Sequence, residues 1–166
     1  MQSITSYLNY KYVLGTNIDF NRRRNVYYFI KGDFKNWTII DSIVINVSNS
    51  TLIWGDLKLF ANKNGNLYSA GVMGLWEYQN YIWKHVISAN APLYDVYGVD
   101  EKYVLAVGDF LQFYFYDGST WQDMKKLLNH NNSNVINISV WTDGKEIFIS
   151  GILIDEIQKT IVWHGK

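Results

Sequence analysis

The sequence lacks cysteine entirely, has one proline among 166 residues, and carries no excess of either charge. Without cysteine, disulfide frameworks, thiolate metal sites and cysteine nucleophiles are all excluded. Fifteen basic and fifteen acidic side chains cancel, so no overall field would attract nucleic acid or an anionic membrane. We therefore expect neither nucleic acid nor a membrane among the partners of this protein.

Targeting and catalytic signals are also missing. The first residues, MQSITSYLNYKYVLG, lack the basic segment and apolar core of a secretory signal, and no apolar run of about 18 residues occurs. This predicts a cytoplasmic protein, or an extracellular one if a signal has been removed. There is no nucleophile elbow, phosphate-binding loop, dinucleotide fingerprint or zinc-protease motif. The three histidines, His85, His130 and His164, are too far apart to predict a metal site, and no cofactor is expected.

Aromatic residues are abundant: they make up 17% of the chain, and thirteen of them are tyrosines. Aromatic and β-branched residues favour strands over helices. In LQFYFYDG, Phe113 and Phe115 fall on one face of a strand and Tyr114 and Tyr116 on the other. A length of 166 residues suits one domain. We predict a single all-β domain, residues 1–166, in which only QDMKKLLNH could form a short helix.

A pattern of strands repeats four times at intervals of about 40 residues. The units span approximately 7–46, 47–88, 89–130, and 131–166 together with 1–6. In each unit a first apolar strand ends at a small residue, and a second strand ends at a glycine. The first strands end at Gly15, Gly55, Gly98 and Thr142; the second strands end at Gly32, Gly71, Gly108 and Gly151. Third strands run into turns predicted at Asp41-Ser42, Gln79-Asn80, Asp117-Gly118 and His164-Gly165.

Four antiparallel strands per repeat of this length are typical of a β-propeller blade, because stacking the blades around an axis covers both faces of each. We predict a four-bladed propeller in which residues 1–6 pair with Thr160–Gly165 and close the ring. Two alternatives stay open: a half-ring that pairs with a second copy, and a portion of a larger propeller. The repeat also places Trp54, Tyr97 and Trp141 at one position of the first strands, so all three are expected to be buried.

The segment VLAVGDFLQFYFYDGSTWQDM resembles the kelch type of propeller repeat, in which an apolar strand ends in glycines and a tryptophan follows a later turn. LYDVYG and IVWHGK are also similar to degenerate propeller repeats of large bacterial surface proteins. The kelch double glycine is Gly108-Asp109 here, and the tryptophan position of the first unit is Ile45. The resemblance implies a propeller fold but no particular partner.

The loops at one end of such a ring are rich in asparagine and serine with aromatic residues nearby, a composition that suits hydrogen bonding and stacking. Candidate ligand-binding residues are Asp33, Trp37, Trp76, Asp109 and Asn131. We expect a non-catalytic binding module, monomeric or homodimeric, whose partner is a protein or a glycan. The alternative is a carbohydrate hydrolase that uses Asp33 and Asp109, although their identical Gly-Asp-Phe contexts are explained by the repeat alone.

Overall fold

The structure, a computed structural model, describes residues 3–46, 54–55, 57–129 and 134–166. Over these ranges the chain forms fifteen strands and one short 3₁₀ helix, η1, Lys125–Leu128, so the all-β prediction is confirmed. The strands are β1 Ser3–Tyr7, β2 Tyr10–Asp19, β3 Arg24–Gly32, β4 Trp37–Asn46, β5 Lys58–Ala61, β6 Leu67–Gly71, β7 Gly74–Gln79, β8 Ile82–Ser88, β9 Leu93–Asp100, β10 Tyr103–Gly108, β11 Phe113–Tyr116, β12 Trp121–Asp123, β13 Val135–Thr142, β14 Ile147–Leu153 and β15 Lys159–Gly165. No helix in these ranges has the length and hydrophobicity needed to cross a membrane.

The strands form four antiparallel sheets in chain order. The first sheet contains β1–β4, the second β5–β8, the third β9–β12 and the fourth β13–β15. Strands that follow one another in the chain are neighbours in every sheet, so each sheet is a simple meander. Four successive meanders agree with a fourfold repeat, but the predicted strand order is wrong by one in the first unit. β2, predicted as the first strand, is the second strand of its sheet, and β3, predicted as the second, is the third, because β1 belongs to this sheet and not to the last.

Aspartates shape several of the connections between strands. The carboxylates of Asp33, Asp117 and Asp143 each accept hydrogen bonds from the backbone N–H groups two and three residues ahead. Such bonds fold the backbone into a turn and are made by the ionised carboxylate. They hold the pKa of all three carboxyl groups below the usual range.

Successive sheets pack face to face through three buried clusters. Leu14 and Phe29 of the first sheet meet Leu59 and Leu67 of the second. The second and third sheets share a cluster that includes Tyr68, Leu75, Val96 and Val104, and the third and fourth share one that includes Leu105, Val107, Val140 and Ile149. Each inner sheet is therefore covered on both faces, which explains why β6 and β10 are almost completely buried.

The predicted closure of the ring is wrong. β1 pairs with β2, from Ser3 opposite Leu14 to Tyr7 opposite Tyr10, and among the described strands β15 pairs only with β14. The reason lies in the side chains of β1, which are used by the second sheet. The hydroxyl of Ser3 accepts the backbone N–H of Leu59 at 2.8 Å, so β1 rests against β5 instead of the C-terminal strand.

Strand boundaries also differ from the prediction. The pairs Asp41-Ser42 and His164-Gly165 are not turns but lie within β4 and β15, and β4 has a bulge opposite Phe29 and Ile30. The strand predicted to end at Gly151 continues to Leu153. Trp54 and Gly55, predicted to end a strand, lie outside any strand, and residues 51–53 fall outside the described ranges. The first described strand of that sheet is β5.

Two of the three predicted core aromatics are at least half-buried. Trp54 is 3% exposed and stacks against Trp83 with ring centres 5.9 Å apart. Tyr97 is half-buried and packs against Phe60. Trp141 contradicts the prediction, since it is 47% exposed, and among the ring pairs described it contacts only Phe148 on the neighbouring strand of its own sheet. It lies on the face of the fourth sheet that is turned away from the third.

Candidate functional site

A cleft of about 480 Å³ lies where the first and second sheets meet. We call it the tyrosine cleft, because four tyrosines from the two sheets line it. Its lining consists of Tyr10, Tyr12, Lys31, Gly32, Asp33, Asn36, Thr38, Ile40, Gly65, Leu67, Tyr78 and Tyr81. The volume is within the range of clefts that hold small ligands.

The first sheet supplies one wall through the alternation of its strands. Tyr12 of β2 pairs with Lys31 of β3, and Lys31 pairs with Thr38 of β4, so the three side chains point to the same face. Tyr10 lies two residues from Tyr12 and shares this face. The ammonium group of Lys31 lies 3.9 Å from the ring centre of Tyr10 and 5.7 Å from that of Tyr12. This cation–π contact orients Tyr10 at the cleft's edge.

Asp33 brings a negative charge to the loop between β3 and β4. Its Oδ1 atom accepts the backbone N–H groups of Asn36 and Lys35 at 2.7 and 2.8 Å. These bonds, that from Asn36 first, hold the pKa of Asp33 below the usual range, so the group is ionised at neutral pH. The cleft therefore offers a fixed carboxylate, a lysine, an amide and a hydroxyl beside its aromatic rings.

The second sheet supplies Tyr78 and Tyr81 from the hairpin of β7 and β8. Asn80 and Tyr81 both have positive φ, which forms a tight turn and leaves Tyr81 89% exposed. The hydroxyl of Tyr78 is buried and has no hydrogen-bond partner among the described residues. Burial, and then the charge of nearby Asp41, raises the pKa of Tyr78, so its hydroxyl stays protonated as a donor.

The predicted site residues do not come together. Asp33 lines the tyrosine cleft, but Trp37 is exposed on the opposite face of the first sheet, with its ring over Gly32. Trp76 is half-buried between the first two sheets and stacks on His85 with ring centres 4.3 Å apart. Asn131 lies outside the described residues.

Asp109 lines a separate cleft of about 310 Å³ between the third and fourth sheets. The cleft is mostly apolar, with Phe110, Val135, Ile136, Ile154 and Asn134 as the other lining residues. One carboxylate oxygen of Asp109 is buried without a hydrogen-bond partner, and the other lies 3.4 Å from the hydroxyl of Tyr94. Burial raises the pKa of Asp109, and the bond from Tyr94 opposes this only in part. The two identical Gly-Asp-Phe sequences thus hold aspartates of opposite character.

The other candidates from the sequence have local partners. A ring nitrogen of His85 lies 2.9 Å from the carbonyl oxygen of Met73, and His164 lies 3.6 Å from Glu146. In the described ranges no three metal-ligating side chains cluster together, and His130 falls outside those ranges. At the connection of β2 to β3, Arg22 and Arg24 both approach Asp19, at 3.8 and 3.3 Å, which reduces the local positive charge.

The sequence-based interpretation missed most of the tyrosine cleft. Tyr10, Tyr12 and Lys31 lie in strands rather than in the loops from which candidates were chosen. The available signal was the spacing of Tyr10 and Tyr12, which are two residues apart in β2 and therefore lie on the same face of the strand. The contribution of Tyr78 and Tyr81 depends on how two sheets pack, which no local pattern in the sequence encodes.

No protein-family model matches this chain, and no curated protein matches it significantly. The kelch-type resemblance therefore stays a prediction.

Proposed function

We propose that this protein is a non-catalytic binding module whose tyrosine cleft binds a glycan. The observation that carries the proposal is the composition of the cleft, in which four tyrosine rings alternate with Lys31, Asp33, Asn36 and Thr38. Sugar rings present apolar C–H faces and a rim of hydroxyl groups. Tyrosine rings can stack on those faces, while charged and amide groups exchange hydrogen bonds with the hydroxyls.

The electrostatics of the cleft favour a neutral, polyhydroxylated ligand. Lys31 is positive and Asp33 negative, so their charges offset each other across a short stretch of β3 and its loop. Charged groups form stronger hydrogen bonds to hydroxyls than neutral groups do.

Hydrolysis is the less well supported function. A glycosidase needs two carboxyl groups about 5–10 Å apart, one of them protonated to act as a general acid. Asp33 and Asp109 line different clefts, and Asp33 is the only acidic residue among those that line the tyrosine cleft. Its pKa is lowered, which is the wrong direction for a general acid.

We further propose that the four sheets are blades of a propeller-type arrangement with degenerate, kelch-like repeats. Support comes from the meander order within each sheet and from the face-to-face packing of each sheet on the next. In a propeller the first strands of successive blades lie nearest one another, and here β1 contacts β5, β5 contacts β9, and β9 contacts β13.

Binding to a glycan array, followed by calorimetry with the best-bound oligosaccharide, tests the proposed function. Tyr81→Ala removes the most exposed ring of the cleft, and we expect it to weaken binding about fivefold to tenfold, in line with the value of one aromatic contact. Lys31→Met should weaken binding as well, because it removes both a hydrogen-bond donor and the cation beside Tyr10.

Phe110→Ala serves as the control, since it removes an exposed aromatic ring from the other cleft. It should leave glycan affinity unchanged. If no glycan on the array binds, or if the double variant of Tyr10→Ala and Tyr81→Ala binds as tightly as the natural sequence, the tyrosine cleft is not a glycan site.

A further inference from the structure

Each sheet has an apolar or aromatic residue three positions before a glycine, and the burial of this residue differs only in the last sheet. The four residues are Phe29, Tyr68, Leu105 and Phe148, on β3, the third strand of the first sheet, and on β6, β10 and β14, the second strands of the other sheets. The first three are completely or almost completely buried, because the next sheet in the chain covers them. Phe148 is 37% exposed, since no fifth sheet follows the fourth in the described chain.

The opposite face shows the complementary pattern in the first sheet. The second residue before the same glycine is Ser69, Ala106 or Ile149 in the later sheets, and all three are buried. Ala106 and Ile149 belong to the clusters shared with the preceding sheet. The corresponding residue of the first sheet, Ile30, is only half-buried. The repeat thus has two uncovered faces, one at each end of the series of sheets.

Both uncovered faces carry a row of mainly apolar side chains. On the first sheet, Ile4, Val13, Ile30 and Ile39 lie directly opposite one another and form a row across all four strands. On the fourth sheet, Trp141, Phe148 and His164 form a row across the three strands, and Val162 lies beside it on β15. We call these two surfaces the leading face and the trailing face. Apolar rows of this extent are unusual on a surface that stays in water.

The two faces do not cover each other within one chain. None of the three buried clusters contains residues of both the first and the fourth sheets among the described residues. β1, which the ring prediction placed beside β15, is held against β2 and β5.

We propose that the trailing face of one copy packs on the leading face of a second copy, giving a head-to-tail homodimer in which this contact occurs twice. The occupant follows from continuity with the interfaces inside the chain. At each of the three contacts between successive sheets, the face that carries Phe29, Tyr68 or Leu105 is covered by the following sheet. The covering face is the one that carries Ser69, Ala106 or Ile149. The leading face of a second copy offers that same surface. The contact joins two different faces and is therefore heterologous, and a twofold rotation between the copies makes it occur twice and closes the dimer.

Light scattering and sedimentation over protein concentrations of about 1–100 µM test this proposal. We expect a dimer that dissociates on dilution. Ile39→Asp on the leading face and Val162→Asp on the trailing face should each raise the dissociation constant at least tenfold, because each places a charge in an apolar contact. Leu127→Asp is the matched control: Leu127 is exposed on η1, away from both faces, and its replacement should not change the dissociation constant.

Mixing the two variants identifies the head-to-tail arrangement. Ile39→Asp protein retains an intact trailing face and Val162→Asp protein an intact leading face, so an equimolar mixture should recover dimers through one undamaged contact. Because both positions are exposed, thermal melts should show that each variant is folded. A natural sequence that is monomeric across the range overturns the proposal. So does a dimer that survives both variants, or a mixture in which dimers do not reappear.

Discussion

The carboxylate of Asp95 on β9 accepts the backbone N–H of Val140 on β13 at 3.0 Å, and thereby joins the third sheet to the fourth. The same carboxylate accepts the hydroxyl of Ser139 at 2.8 Å and forms an ion pair with Lys58 of β5 at 3.2 Å. Asp95 is almost fully buried, and its contacts reach three sheets. Since β13 is an edge strand, the N–H of Val140 has no neighbouring strand on that side, and Asp95 takes the place of one.

Asp95→Ala should destabilise the protein by about 3 kcal/mol, because hydrogen bonds to a charged group are each worth about 1.5–3 kcal/mol and the N–H of Val140 would be left unpaired. Urea denaturation measures the change. Asp123→Ala removes an exposed aspartate that bonds only to a neighbouring backbone N–H, and it should cost much less. Equal effects of the two substitutions would mean that Asp95 does not hold the sheets together.

The two tryptophans that the repeat treats as equivalent should respond differently to truncation. Trp54→Ala should cost about 3–5 kcal/mol, since the ring is buried against Trp83 and Phe29. Trp141→Ala should cost under about 1 kcal/mol, because nearly half of that side chain is already in water. Denaturation is measured at a concentration where the protein is monomeric. A large loss for Trp141→Ala under those conditions would show that the trailing face is covered within a single chain.

The sequence carries enough information for strands and repeats but not for the relation between sheets. The strands that end at Gly71 and Gly108 could be predicted because apolar runs and a terminal glycine are local features. The position of β1 could not, because it depends on hydrogen bonds that Ser3 and Thr5 accept from N–H groups 56 residues away. Asp33 and Asp109 show the same limit at the site: identical neighbours in sequence place one in an open turn and the other against a cleft.

The contribution of Asp109 to the free energy of unfolding should decrease as the pH rises, whereas that of an aspartate with a lowered pKa increases. The folded-state pKa of Asp109 is raised by burial, so folding favours the protonated form. The favourable contribution is present below the unfolded pKa and is lost as pH rises through the folded pKa. Asp109→Asn should therefore raise the melting temperature at pH 7 relative to the natural sequence, and the gain should shrink as the pH falls toward the ordinary pKa of aspartate.

Asp117→Asn provides the opposite case in the same experiment. The bonds from the backbone of Thr120 and from Ser119 lower its folded pKa, so the stability it contributes is present above the unfolded pKa and lost as pH falls through the folded one. This variant should lower the melting temperature at pH 7. A melting temperature that moves in the same direction for both substitutions at pH 7 would contradict the environments described for the two carboxyl groups.

The last prediction concerns β1, in which the hydroxyl groups of Ser3 and Thr5 form hydrogen bonds between the first and second sheets. Ser3→Ala removes the acceptor for the N–H of Leu59, a residue that is almost completely buried, and should cost about 1 kcal/mol. Ser6→Ala is the matched control, because Ser6 lies on the opposite face of the same strand and its hydroxyl accepts only an exposed bond from Lys11. Combining Ser3→Ala with Thr5→Val should cost more than either alone, since the N–H of Ala61 also loses its acceptor. If β1 instead paired with the C-terminal strand, hydrogen exchange at Leu59 and Ala61 would be the same in the double variant as in the natural sequence, whereas contact with β5 requires that both amides exchange faster.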